Sequence, residues 1–182
     1  MGFFDEHESK KSELARQVIP EWFAPPARLI GKPLGKTLVL VQNADCAVVL
    51  TRFVAYPNGL DWNITVRFAS HVPAIRHQTA WEGPDRAKFG VRWADGTAVF
   101  PYQPDVWPPT GRPTGPVLNQ HGGQGDDGGI TFGLWLNPLP SDPFHVIFAW
   151  KAGGIDETEA EVNIANLAVE ASEALILWPA DS

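Results

Sequence analysis

Alternation of apolar and polar residues with a period of two is the feature that most constrains the fold of this chain. That spacing places alternate side chains on opposite faces of an extended strand. It recurs in residues 48–55, 61–69, 88–93, 97–100, 130–137, 144–151 and 158–164. The chain also contains 17 glycines and 17 prolines, which helices tolerate poorly in their interiors. The sequence therefore predicts a mainly β protein.

The first predicted hairpin joins residues 48–55 to 61–69 through the turn 56–59, which carries Pro57 and Gly59. Proline suits the second position of such a turn, and glycine suits its last position. The predicted register pairs Ala55 with Leu60, Phe53 with Trp62, Thr51 with Ile64 and Val49 with Val66. One face of this hairpin is then almost wholly apolar, so we expect it to lie against the core.

A second predicted hairpin joins residues 88–93 to 97–100 through Asp95-Gly96, a dipeptide typical of type I′ turns. Residues 101–116 contain six prolines and are predicted to be a surface connector, because proline lacks the donor that a strand ladder needs. Segments 130–137 and 144–151 are apolar enough to lie centrally in a sheet.

Helices are predicted at both ends of the β core. Residues 5–19 follow a capping Asp5 and stop before Pro20, and residues 164–178 carry an apolar stripe with a period of 3.6. Because strands and helices do not alternate, we expect an antiparallel two-layer β-sandwich, with an open barrel as the alternative. The prediction is one domain, 1–182, with an N-terminal helix in 1–20, the β core in 21–163 and a C-terminal helix in 164–178.

The formal charge of −7 is distributed unevenly along the chain. Residues 113–182 contain Lys151 and ten acidic residues, whereas basic residues slightly outnumber acidic ones in residues 1–112. Binding to nucleic acid depends on basic side chains that neutralise phosphates, so this composition argues against a nucleic-acid partner. The acidic half predicts a solvated surface or, alternatively, a surface for a basic partner.

Cysteine content and the first residues bear on the compartment. Cys46 is the only cysteine and lies in an apolar run, so we expect a small buried side chain and no intramolecular disulfide. The first residues are rich in charge and lack the apolar stretch of a signal peptide. The apolar runs are also too short to cross a bilayer. The sequence therefore predicts a cytoplasmic protein that does not bind membranes.

Six blocks of the sequence carry a likeness to a known family. They are VIPEWFAPPARLIG (18–31), AVVLTRFVAYPNGLDWNITVRF (47–68), FGVRWADG (89–96), GPVLNQHGGQG (115–125), FGLWLNPLPSDPFHVIFAWKAGGIDETEAEVN (132–163) and LWP (177–179). On these blocks the chain resembles a family of small uncharacterised bacterial proteins of similar length. The resemblance implies no activity, ligand or site residue. The family form has a plainer glycine run where this chain has His121, Gln124, Asp126 and Asp127, which argues against a catalytic centre there.

The glycine-rich segment 121–129 contains the first candidate ligand-binding residues. His121, Asp126 and Asp127 offer an imidazole and two carboxylates, which are groups that bind cations, and glycines let backbone amides approach a ligand. The segment matches no Walker sequence, Rossmann fingerprint or EF-hand loop. We expect a flexible, solvated hairpin connection instead.

Motifs for catalysis are not found in the sequence. His71 and His77 lie in a predicted loop without a zinc-binding pattern, and no G-x-S-x-G sequence occurs. We therefore predict no catalytic residue, no metal site and no cofactor. The alternative is a small hydrolase or a metal-dependent enzyme that uses loop residues such as His71, His77 and His121.

Eight tryptophans raise the question of a ligand platform. Those in the predicted strands are mostly in phase with core residues, whereas Trp22, Trp81 and Trp107 fall in connectors and can be exposed. Trp81 and Trp107 are therefore candidate contacts for a small molecule or a glycan. Because no catalytic motif is found, the leading hypothesis is a non-enzymatic module that contacts a protein partner or forms a homo-oligomer.

Overall fold

The computed structural model describes residues 19–69, 80–126 and 128–178. The strands in these ranges are β1 (Leu29–Ile30), β2 (Lys32–Pro33), β3 (Leu38–Gln42), β4 (Cys46–Tyr56), β5 (Gly59–Phe68), β6 (Lys88–Trp93), β7 (Ala98–Val99), β8 (Val117–Asp126), β9 (Gly129–Asn137), β10 (Phe144–Trp150), β11 (Ile155–Val162) and β12 (Leu175–Ile176). The helix α1 covers Leu167–Ser172, and a 3-10 turn covers Lys151–Gly153. The helix predicted within 1–20 lies outside the described residues, apart from Ile19 and Pro20.

Antiparallel pairing organises the described strands into three sheets. The larger main sheet has the order β2-β4-β5-β9-β8, and β3 also pairs with β4. The smaller main sheet has the order β11-β10-β6-β7, and β1 pairs with β12 in a separate ribbon. Every pair among these strands is antiparallel, which confirms the predicted mainly β, antiparallel class.

An aromatic core lies between the two main sheets. The ring centroids of Trp62 on β5 and Phe144 on β10 are 6.0 Å apart, and those of Phe68 on β5 and Trp150 on β10 are 6.2 Å apart. Trp62, Phe144 and Trp150 are each at most 1% exposed. Side chains of one sheet therefore pack directly on those of the other, as the predicted two-layer sandwich requires.

A β-bulge in the first hairpin changes its predicted register. The pair next to the turn is as predicted, but the ladder then shifts, so that Leu50 rather than Thr51 pairs with Ile64. Arg52 lies in the bulge with a φ of 54°, in the left-handed region. The extra residue turns Leu50 and Val48 toward the core, where both side chains are 0% exposed. The predicted ladder pairs Thr51–Ile64 and Val49–Val66 are therefore wrong, whereas Phe53 lies at the bulge with its ring stacked on Trp62 at 6.3 Å.

The second hairpin is present, but its turn is not of the predicted type. The N–H of Trp93 donates to the carbonyl of Thr97 at 2.9 Å, and the N–H of Gly96 donates to the carbonyl of Trp93 at 3.0 Å. Gly96 has a φ of 86°, whereas Asp95 does not have a positive φ. A type I′ turn needs positive φ at both positions, so the hairpin closes with glycine alone in the left-handed region.

The C-terminal helix is shorter than the predicted range 164–178. It begins after Asn166, ends at Ser172, and is followed by the strand β12. Pairing with β1 and a 2.9 Å hydrogen bond from the N–H of Leu177 to the carbonyl of Arg28 satisfy the backbone of these last residues. Because these backbone groups bond to β1 and to Arg28 instead of to the preceding helical turn, the apolar residues after Ser172 are not helical.

Candidate functional site

The glycine-rich segment 121–129 lies mostly within strands and is not the flexible connection that composition predicts. β8 pairs with β9 along this segment. Close packing accounts for part of the glycine content, because a Cβ on Gly123 would lie 2.2 Å from Cη2 of Trp81. The absence of a side chain at Gly123 therefore allows Trp81 to lie against the strand.

His121 reaches across β9 on the face of the larger sheet that points away from the core. Its Nε2 lies 2.8 Å from Oδ1 of Asp61 on β5. Gly133 of β9 lies beneath the ring, and a Cβ there would be 3.1 Å from Cε1 of His121. The hydrogen bond to Asp61 raises the pKa of His121, and burial opposes that rise only in part.

Sequence reasoning missed Asp61 as the partner of His121. The two residues are 60 positions apart, and β9 separates their strands in the sheet. Neither residue lies in a recognisable motif, so no local signal predicts the contact. Only the order and register of the three strands bring the two side chains together.

The other predicted ligand residues do not join His121. Oδ1 of Asp126 accepts a 2.8 Å hydrogen bond from the N–H of Gly128, which closes the turn between β8 and β9. Asp127, His71 and His77 lie outside the described residues. Within residues 19–69, 80–126 and 128–178, no three His, Cys, Asp or Glu side chains lie close enough to hold one metal ion.

Trp107 joins an aromatic cluster that sequence reasoning did not predict. The ring of Phe23 lies 5.6 Å from Trp22, 6.3 Å from Tyr102 and 5.6 Å from Trp107, at interplanar angles between 71° and 84°. Trp107 itself is 58% exposed. Edge-to-face rings of this kind pack on each other, and they do not form the flat surface on which a sugar ring stacks. The cluster is therefore better explained as packing.

Trp81 forms one wall of a cavity, which we call the Trp81 cavity. The cavity has a volume of about 470 Å³. Its aromatic walls include Trp81, Phe89 and Phe132, and the ring of Phe132 lies 4.5 Å from Trp81 and 5.4 Å from Phe89. Trp81 is half-buried in this arrangement. Of the tryptophans predicted to contact a ligand, Trp81 is thus the one that borders this cavity, which is open to solvent.

The Trp81 cavity opens where β7 stops covering β6. β7 pairs with Val91 and Arg92 alone, so among the described residues no strand pairs with the first half of β6 on that side. Arg86 and Lys88 border the cavity there, and both side chains are exposed. Neither cation forms an ion pair with another described residue. The cavity therefore combines aromatic side chains with two positive charges that form no ion pair within the described residues.

Acidic residues line β11, which is the outer strand of the smaller main sheet. They are Asp156, Glu157, Glu159 and Glu161, and all four are exposed. Glu159 forms an ion pair with Arg92, and Nδ1 of His145 lies 3.8 Å from its Oε1. Charge along an edge strand discourages pairing with a further strand, so this edge is protected.

Five exposed apolar side chains lie on the β1–β12 ribbon and the two residues after it, and we call them the ribbon patch. Their exposed fractions are 52% for Ile30, 58% for Leu175, 63% for Ile176, 42% for Leu177 and 61% for Trp178. Ile30 pairs directly with Leu175 across the ribbon. A cluster of large apolar side chains left in water is uncommon on a monomer and marks a surface that contacts another molecule.

A small recess and two ion pairs lie beside the ribbon patch. The recess has a volume of about 170 Å³, and its lining includes Leu29, Pro57 and Ile176. Nε of Arg28 lies 3.0 Å from Oε1 of Glu21, and Lys32 forms an ion pair with Glu173. The apolar surface is therefore bordered by charges of both signs.

Comparison with family models, curated proteins and solved structures finds no match to the chain. The family resemblance of the sequence blocks therefore stays an expectation. Among the described residues, no helix has the length and apolar character needed to cross a bilayer. What the structure offers toward a function is its own geometry: the ribbon patch, the Trp81 cavity and the His121–Asp61 pair.

Proposed function

We propose that this protein is a non-enzymatic β-sandwich module that associates with a second copy of itself through the ribbon patch. The observation that carries the proposal is the exposure of the five apolar side chains of that patch, each between 42% and 63% exposed. Burying them against another surface removes apolar area from water, which is the main driving force of protein association.

A second copy suits this surface because a protruding side chain and a recess lie close together on it. Trp178 is 61% exposed and protrudes from the ribbon patch. The recess of about 170 Å³ borders the same patch, since Ile176 lines it. In a two-fold dimer, the same patch meets itself, so each copy supplies one protruding side chain and one recess. Buried tryptophans of this kind often carry a large share of binding energy.

The charges at the border of the patch also favour a second copy. The Arg28–Glu21 and Lys32–Glu173 pairs place both signs beside it. Across a two-fold axis, each cation can face a carboxylate of the other copy, and such complementarity suppresses wrong partners. A strongly basic partner would be repelled by Arg28 and Lys32 at this patch. The excess of acidic residues in segment 113–182 therefore does not favour a basic partner at this surface.

Sedimentation equilibrium over a wide range of protein concentration tests the proposal. We expect the apparent mass to rise from 19.9 kDa toward twice that value as concentration increases. The variant Trp178→Ser should weaken association at least tenfold, because about 1.4 kcal/mol of lost burial corresponds to a factor of ten. Val39→Ser is the matched control, since Val39 is 60% exposed on β3 and lies outside the patch.

Two results would contradict self-association through this surface. The first is a single mass of one chain at every concentration, which leaves a different protein as the remaining occupant of the patch. The second is a dimer that Trp178→Ser and Val39→Ser affect equally, which places the interface elsewhere.

A further inference from the structure

We propose that the Trp81 cavity binds a small carboxylate that has an apolar, preferably aromatic, body. This proposal does not depend on self-association, because the residues that line the cavity are not those of the ribbon patch. A volume of about 470 Å³ falls within the range in which proteins hold small ligands.

The walls of the cavity select an apolar body. Trp81, Phe89 and Phe132 form a connected aromatic group, with ring centroids 4.5 Å and 5.4 Å apart along it. Phe100 also borders the cavity and is 71% exposed without a ligand. An aromatic ring placed against the half-buried Trp81 and the exposed Phe100 buries apolar area and makes the edge and face contacts that aromatic rings favour.

The mouth of the cavity selects a negative charge. Arg86 and Lys88 lie two positions apart at the start of β6, and neither pairs with a carboxylate within the described part of the chain. A guanidinium binds a carboxylate through two parallel hydrogen bonds, and a nearby ammonium adds a third. A bound carboxylate therefore supplies a partner for two cations that form no ion pair with a described residue.

Glu157 also borders the cavity, and its position orients the ligand. It lies on β11, which β10 separates from β6, so it is about 10 Å from the β6 backbone at the usual strand spacing. It forms no ion pair with Arg86 or Lys88 among the described contacts. Its negative charge repels a carboxylate from the far side and leaves the Arg86 side as the anion-binding end.

Calorimetric titration of the full chain with sodium naphthalene-2-carboxylate tests the proposal. Naphthalene-2-carboxamide has nearly the same shape without the charge, so we expect it to bind at least tenfold more weakly. The double variant Arg86→Gln/Lys88→Gln should weaken carboxylate binding at least tenfold and leave carboxamide binding unchanged. Arg67→Gln removes an exposed cation on β5 that does not border the cavity, and it should leave both affinities unchanged.

A spectroscopic readout locates the bound probe. In the amide spectrum of ¹⁵N-labelled protein, Trp81→Phe assigns the indole N–H signal of Trp81, and that signal should shift as the carboxylate is added. Equal affinity for the two probes, or an unchanged affinity in the double variant, would overturn the claim that the site selects an anion. No binding at millimolar carboxylate, or binding that leaves the Trp81 signal in place, would overturn the site itself. The titration is repeated on Trp178→Ser, the variant designed to weaken self-association. Unchanged carboxylate affinity in that variant would show that the Trp81 cavity binds the probe independently of association.

Discussion

The imidazole of His121 and the carboxylate of Asp61 meet across an intervening strand, with 2.8 Å between Nε2 and Oδ1. His121 belongs to the outer strand β8 and Asp61 to the central strand β5, so the contact spans three strands of the larger sheet. The missing side chain of Gly133 leaves the space that the ring occupies. The contact thus ties the glycine-rich outer strand to the middle of the sheet.

The pair predicts a pH-dependent contribution to stability. Because the Asp61 hydrogen bond raises the pKa of His121, the folded protein holds this proton more tightly than the unfolded chain. The contribution is therefore complete below the ordinary histidine pKa of 6.5 and is lost as the pH rises through the higher folded value. The side chains of His121 and Asp61 are 29% and 21% exposed, and for such a pair we expect a contribution of about 0.2–1 kcal/mol to the free energy of unfolding.

Urea unfolding at several pH values measures this contribution. The free energy of unfolding of the wild type should exceed that of Asp61→Asn at acidic pH, and the difference should shrink as the pH rises above 6.5. Asp126→Asn is the control, because the carboxylate of Asp126 bonds the backbone N–H of Gly128. An NMR titration in which Asp61→Asn leaves the His121 pKa unchanged would contradict the assignment.

Two glycines of the β8–β9 pair should differ strongly in how much an alanine substitution lowers stability. A Cβ on Gly129 would lie 2.2 Å from the carbonyl oxygen of Val66, so the backbone of β5 must move. We expect Gly129→Ala to lower the free energy of unfolding by about 3 kcal/mol, at the upper end of overpacking effects. A Cβ on Gly122 meets nothing within 4 Å, so Gly122→Ala should change stability by less than about 0.5 kcal/mol. Equal losses in chemical denaturation would show that these positions do not differ in packing.

Two adjacent valines of β4 test the register that the bulge sets. Val48 is 0% exposed and points into the core, whereas Val49 is half-buried on the other face. Val48→Ala and Val49→Ala delete the same atoms. We expect Val48→Ala to cost about 2–3 kcal/mol and Val49→Ala less than about 1 kcal/mol in urea unfolding. The reverse order would support the register predicted from the sequence.

Local patterns predicted the strands better than their exact pairing. The Pro57–Gly59 turn and the Ala55–Leu60 pair beside it follow from turn chemistry, and both are present. The bulge that follows places Arg52 at a φ of 54°, a region that arginine seldom occupies. Because the residue type gives no signal for that conformation, a regular ladder was the natural expectation.

Distant contacts explain the remaining differences. The last apolar residues fit a helical stripe as well as a short strand, and what decides is pairing with Leu29 and Ile30 far earlier in the chain. The candidate site shows the same limit. His121 and Trp81 could be predicted as candidates because of their residue types. Asp61, Arg86 and Lys88 become site residues only through the order of the strands, which a single sequence does not reveal.

The β1–β12 ribbon also bears on the order in which the molecule assembles. Its strands come from opposite ends of the described chain, so their pairing closes a very long loop at a high entropic cost. Each strand of the ribbon has two residues, and most of their side chains are exposed. The ribbon therefore gains little stability of its own before the sandwich has formed. We therefore expect the ribbon to form after the sandwich during folding and to open before it, so amide exchange at Leu175 and Ile176 should be faster than exchange in the central strands β5 and β9.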